Sequence, residues 1–165
     1  MKVCLDVQYH PNHAIAAAVL FNDWADAVPT REVTVRVENI APYQSGAFYK
    51  RELPCLLAAL ENISEPLEVV VIDGFVWLDA TQKPGLGAHL YAVLEQKISV
   101  IGVAKTAFQG APALEVWRGE SKQALLVSSL GCDLNQAANL VQGMHGAYRL
   151  PTLLKRVDQV ARGKI

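Results

Sequence analysis

Val3, Leu5 and Val7 alternate with other residues near the start of the chain, the two-residue period of a half-buried strand. The stretch 14–21, AIAAAVLF, predicts a second strand, and Val33, Val35 and Val37, separated by Thr34 and Arg36, predict a third. The connections are short, Pro11-Asn12-His13 and then a loop around 23–29, which favours antiparallel neighbours. A helix is expected over 53–62, with Pro54 accommodated in its first turn and Glu52 just ahead of it. Val69-Val70-Val71-Ile72 is a continuous apolar run that ends at Asp73-Gly74, the pattern of a central strand buried on both faces. After a loop over 75–84, residues 87–96 read as helix and 98–104 as another buried strand. A hairpin is expected from 114–117 to 124–127, turning near Gly119, and two helices over 133–144 and 152–161 close the chain.

The resulting order is βββαβαβ, followed by further strands and helices. Three antiparallel strands and then alternating helices and strands give an α/β fold of the ribonuclease H-like type. Its mixed central sheet continues with parallel strands and is flanked by helices; a flavodoxin-like sheet would place a helix after the first strand. The 165 residues fit one domain, 1–165. With 52% hydrophobic and 19% charged residues, the chain can fill a core and is not of the disordered class. A net charge of −1 argues against a protein that coats nucleic acid nonspecifically, while leaving room for local basic patches. Cys4, Cys55 and Cys132 lie far apart without a CxxC pair, which points to neither a disulfide framework nor a zinc site. His10, His13, His89 and His145 form no zinc pattern either. The first residues, MKVCLDVQYH, lack a signal-peptide pattern, and no apolar run approaches the ~20 residues of a membrane span. A soluble, cytoplasmic protein without a membrane partner is therefore expected.

Three acids stand where a core would not place them. Asp6 interrupts the first strand between Leu5 and Val7, and a carboxylate there is costly unless it is paired or ligates a metal. Asp73 ends the most apolar segment, and in open α/β sheets ligands collect beyond the carboxyl ends of the strands. If the first and fourth strands are neighbours, Asp6 and Asp73 converge. Hard divalent cations such as Mg²⁺ or Mn²⁺ then account best for the repelling carboxylates. Each acid also has a purely structural reading: a strand-ending turn for Asp73-Gly74, a favourable helix-terminus charge for Glu52, and a paired strand carboxylate for Asp6.

The segments around these acids resemble the endonuclease V family, nucleases that act on hypoxanthine in nucleic acid. Pro42-Tyr43-Gln44-Ser45-Gly46, followed by Lys50-Arg51-Glu52-Leu53-Pro54, is similar to that family's PYxxG and FREzP stretch, where z is any residue. Val71-Ile72-Asp73-Gly74 resembles its VDG strand, and Ile101-Gly102-Val103-Ala104-Lys105 its IGVAK strand. Tyr148-Arg149-Leu150-Pro151, seven residues before Asp158, is similar to its C-terminal YRLP segment. The resemblance implies a Mg²⁺-dependent endonuclease, with Mn²⁺ as a substitute. It would hydrolyse the second phosphodiester 3′ to deoxyinosine or inosine in a DNA or RNA partner. It implies Asp6, Glu52, Asp73 and Asp158 as metal carboxylates, and Lys105 as the group that stabilises the phosphate. Tyr43 would belong to the wedge that supports an extruded base, and Gly46 and Gly74 would let the backbone approach the substrate.

The chain departs from the family pattern in places. Phe75-Val76-Trp77-Leu78-Asp79 replaces a segment rich in Gly and His, with Asp79 where a His would fall. Gln44-Ser45 replaces an apolar-Pro pair, and Thr106 rather than a second Lys follows Lys105. Two further readings stay open beside the main one: a ribonuclease H-like nuclease without inosine preference, and a non-catalytic nucleic-acid-binding relic of the fold.

Overall fold

The computed structural model describes residues 1–45 and 47–164. Seven strands and four helices follow one another as β1 (Lys2–Tyr9), β2 (His13–Phe21), β3 (Arg31–Glu38), α1 (Tyr49–Leu60), β4 (Val69–Ile72), α2 (Leu86–Val93), β5 (Ser99–Ala104), β6 (Leu114–Val116), β7 (Leu125–Leu130), α3 (Leu134–Gln142) and α4 (Thr152–Ala161). The strands form a single sheet in the order β3-β2-β1-β4-β5-β7-β6. The first three pair antiparallel, as their short links require, and β1, β4 and β5 run parallel. The β6–β7 hairpin returns antiparallel through β7 onto β5, a placement that the sequence pattern does not indicate.

Strand periodicity divides the core into two layers. Cys4, Val71, Ile101 and Val103 face α3 and α4, packing with Ala137, Val141, Leu153 and Val157. Val3, Leu5, Val70, Ile72 and Val100 face α1 and α2, packing with Cys55, Leu56, Ala59 and Leu90. The fold is thus helix, sheet, helix, and every central strand is buried on both sides, which accounts for its unbroken apolar runs.

Two helices differ from the expected bounds. Helix α1 begins at Tyr49, because the Phe48 carbonyl already accepts the Arg51 and Glu52 N–H groups. Glu52 is therefore in the first turn and not ahead of the helix, and Pro54 lies inside it. Pro54 and Lys50 are both exposed, so the backbone bond that proline cannot donate to residue 50 is replaceable by water. Helix α2 stops at Val93, short of the expected 96, because Glu95 and Gln96 take left-handed conformations (φ 58° and 59°) and turn the chain back. Asp133 caps α3, accepting the Gln136 N–H at 2.9 Å. Among the described residues no helix is long and apolar enough to cross a membrane.

Candidate active site

The register between β1 and β4 pairs Lys2 with Val69, Val3 with Val70 and Cys4 with Val71, and continuing it sets Asp6 beside Asp73. Both acids share the side-chain parity of Cys4 and Val71 and point to the α4 side of the sheet. Lys105 follows β5 directly and has the parity of Val103, so it joins them on that side. Helix α4 contributes Asp158 from above, held at 3.0 Å by Arg162 one turn later. Glu52 arrives from the opposite layer: α1 covers the other face of the sheet, and its first turn reaches over the strand ends.

These groups are near enough to act on one another's charge. Burial raises the Asp6 carboxyl to about 6; the Val7 N–H, donating at 2.9 Å, opposes that rise, and the Asp73 and Asp158 charges add to it. Burial pushes Glu52 higher still, to about 8, helped by the charges of Asp6 and Asp73. Asp73 is at the exposed mouth of the site, yet the protein packed around it is enough to raise its pKa; Lys105 counters the rise and Asp158 adds to it. Glu52 is only 7% exposed, and among the described residues nothing donates to its Oε2 with good hydrogen-bond geometry, although the Tyr9 hydroxyl faces the carboxyl and opposes its rise. The Arg51 guanidinium lies over the Tyr9 ring, 3.8 Å from its centre. A buried carboxylate oxygen left unsatisfied among like charges is a costly arrangement, and a cation would relieve it. Among the described residues, no three His, Cys, Asp or Glu side chains are gathered closely enough to enclose an ion as they stand.

Beside the acids opens a cavity of about 460 Å³. Glu52, Asp73 and Lys105 form its polar edge, and Tyr43, Phe48, Tyr49, Phe75 and Phe108 supply aromatic walls. Phe75 and Phe108 lean together with ring centres 6.4 Å apart, as do Tyr43 and Phe48. Gly74 lines the same cavity in a left-handed conformation (φ 144°), as expected for a backbone that turns sharply after Asp73. Of the residues singled out in the sequence, Asp6, Glu52, Asp73, Lys105 and Asp158 converge, and Tyr43 and Gly74 stand at the cavity. Gly46 lies outside the described residues.

Asp79 does not join the acids. Its Oδ1 accepts from the Thr81 N–H, the Thr81 hydroxyl and the Lys83 N–H at 2.9, 2.7 and 3.1 Å, which makes it the brace of its own loop. His89 stacks on Tyr49, ring centres 3.6 Å apart, and fixes α2 against α1 without lining the cavity.

Several supporting residues carry no signal in the sequence. Ser128 on β7 accepts the buried Val76 N–H at 3.0 Å and so holds the loop that follows Asp73. Gly102 on β5 lets the Gly74 carbonyl pass where a Cβ would collide with it and come within 2.8 Å of Ser128 Oγ. Arg149 donates to the carbonyl of Lys105 and, at 2.8 Å, to that of Ala124, tying the C-terminal loop to the strand that presents Lys105. Arg118, buried, donates to the carbonyls of Gln142, Met144, Gly146, Tyr148 and Arg149 and fixes that loop from inside. These partners are separated by 24 residues or more, so only folding pairs them.

A mixed sheet whose first three strands are antiparallel, with acids gathered at the carboxyl ends of its central strands, defines a ribonuclease H-like protein. A family model described as Endonuclease V matches residues 3–131. Endonuclease V of Rhodospirillum centenum is 34% identical over 181 aligned positions, covering 92% of this chain and 71% of that protein. The crystal structure of endonuclease V from Streptomyces avermitilis superposes with a TM-score of 0.78 at 28% identity, covering 98% of this chain and 79% of the other. Endonuclease V of Ciona intestinalis, crystallised with a 23mer DNA containing an inosine followed by a ribo-adenosine, shares the fold with a TM-score of 0.80 at 20% identity, covering 98% and 83%. The chain belongs to the endonuclease V family.

Proposed function

We propose that the chain is a divalent-metal-dependent endonuclease that hydrolyses the second phosphodiester 3′ to deoxyinosine or inosine in a nucleic-acid strand. The observation that carries this reading is the gathering of Asp6, Asp73 and Lys105 at the ends of β1, β4 and β5, with Asp158 and Glu52 within electrostatic reach, beside an aromatic cavity of about 460 Å³. The four carboxylates offer an all-oxygen donor set, and the buried Glu52 carboxyl stands among like charges with no good donor to its Oε2 among the described residues, so the residues fit a hard cation such as Mg²⁺ or Mn²⁺. Such an ion would draw the acids together and would supply charge stabilisation and water activation at the phosphate. Lys105, exposed at the strand end, would neutralise a non-bridging phosphate oxygen. Asp158, paired with Arg162, would lie close to the metal or to the attacking water and accept a hydrogen bond there. Tyr43, Phe75 and Phe108 offer faces on which an extruded base can stack while its phosphate stays over the acids. The inosine-containing DNA bound to the Ciona relative supports this choice of substrate.

A second reading keeps the chemistry and relaxes the base preference. Apart from the acids and Lys105, the polar side chains at the cavity are Tyr43, Ser45, Tyr49 and Thr106, and the rest of its side-chain wall is apolar, so stacking outweighs side-chain hydrogen bonding. One assay separates the readings: purified protein with Mg²⁺ or Mn²⁺ on oligonucleotides with and without inosine. Preferential cutting of the modified strand is expected, and equal rates would support the second reading. No cutting with either metal would sink the nuclease reading, and cutting that survives Asp73→Ala would show the acids to be wrongly assigned.

A further inference from the structure

Three concavities neighbour one another around the carboxyl ends of the central strands and the start of α4. The aromatic cavity shares Asp73 and Lys105 with a small pocket that also contains Asp6 and Leu150. Leu150 in turn lines a groove of about 350 Å³ between the β2–β3 loop and the start of α4. The acids thus lie between the aromatic cavity and this groove, with Leu150 as the wall that the groove shares with the acid pocket.

The groove is lined by Tyr148, Thr152, Lys155, Arg156 and Gln159 on one side and by the apolar loop at Val28 and Pro29 on the other. Among the described residues its lining carries two cationic side chains: Arg156, whose charge is paired with Glu32 through Nη2 at 2.8 Å, and Lys155. Tyr148 is 77% exposed, yet its backbone is rigidly held: Arg118 donates to its carbonyl at 2.5 Å and to that of Gly146 at 3.0 Å. The exposed ring is thus presented by a fixed backbone rather than by a loose loop, which is how a stacking platform is built. Lys155, exposed one turn into α4, stands on the same side of the groove.

We propose that this groove binds the single-stranded nucleic acid that continues 3′ of the cut, with Tyr148 stacking on a base and Lys155 contacting a phosphate. The polarity rests on the proposed function: with the base in the aromatic cavity and the second phosphate 3′ to it over the acids, the strand leaves the acids towards the groove on its 3′ side. The groove's place beside the acid pocket, its exposed Tyr148 ring and its exposed Lys155 ammonium point to a phosphodiester chain as the occupant.

The test is fluorescence anisotropy in EDTA, where nothing is cut, with 5′-labelled single-stranded DNA containing one deoxyinosine. A short strand ends one nucleotide past the expected cut, and a long one continues for several more. Wild type is expected to bind the long strand about tenfold tighter than the short one, and Tyr148→Ala to bind both nearly alike, as stacking losses of this kind imply. Tyr148→Phe should keep the preference, and Lys155→Ala should lower the salt slope for the long strand by about one. Both side chains are exposed, and thermal melts check that each variant folds; should one fail to fold, the other carries the comparison. A wild type indifferent to 3′ length, variants that keep the full preference, or a preference that follows the 5′ end would each overturn the proposal. Cleavage is scored separately with Mn²⁺: loss of inosine cutting with the 3′ length preference intact would count against the proposed function and in favour of the groove.

Discussion

Replacing Glu52 with Gln keeps the side chain's shape and removes its charge, and the site's electrostatics set the size of the effect. In the fold, burial and the charges of Asp6 and Asp73 move this carboxyl from 4.5 to about 8. Between those values the native state holds a proton that the unfolded state has lost, so stability falls as pH rises through the window. The loss attributable to Glu52 from pH 5 to pH 8 is on the order of 3–4 kcal/mol, at a limiting slope of about 1.4 kcal/mol per pH unit. This penalty is fully developed above about pH 8 and absent below about pH 4. Urea unfolding in EDTA at pH 5, 6, 7 and 8 is therefore expected to show wild type losing stability steeply and Glu52→Gln losing several kcal/mol less. Millimolar Mn²⁺ should recover the wild type at pH 8 and leave Glu52→Gln much less affected, because the cation takes the place of the proton. Parallel pH profiles for the two proteins in EDTA would refute the reasoning, since they would mean that Glu52 is not confined among like charges.

Three further outcomes follow from the supporting residues. Arg118→Ala leaves five carbonyls without their common donor and should cost about 2–4 kcal/mol in urea unfolding; Arg118→Lys should recover little, because an ammonium cannot span them. Ser128→Ala strips the buried Val76 N–H of its partner and is expected to cost about 1–3 kcal/mol, with a larger proportional loss of cleavage than of thermal stability because the Asp73 loop is what moves. Gly102→Ala would push against the Gly74 carbonyl, at a cost of about 1–3 kcal/mol by chemical denaturation; unchanged cleavage in that variant would show that the β4 end tolerates displacement.

The strand and helix pattern was legible because hydrophobic burial imposes its period on the chain. The alternating valines of β3, the apolar run of β4 and the Asp73-Gly74 break all lie where periodicity puts them. Asp6 was legible as an acid inside an apolar strand, and the family resemblance around Glu52, Lys105 and Asp158 added the acids and the lysine that periodicity alone does not distinguish. Local chemistry already set limits there: a buried carboxylate needs a partner whatever the fold. Tertiary structure alone decided that β7 enters the sheet beside β5, that α1 starts early enough to carry Glu52 on its first turn, and that Asp79 braces its own loop instead of joining the other acids. It also decided the work of Ser128, Gly102, Arg118 and Arg149, whose partners are distant in sequence. A hydrogen bond or a close backbone approach between distant segments leaves no period in the sequence, because it depends on the register of strands and the packing of helices rather than on neighbouring residues.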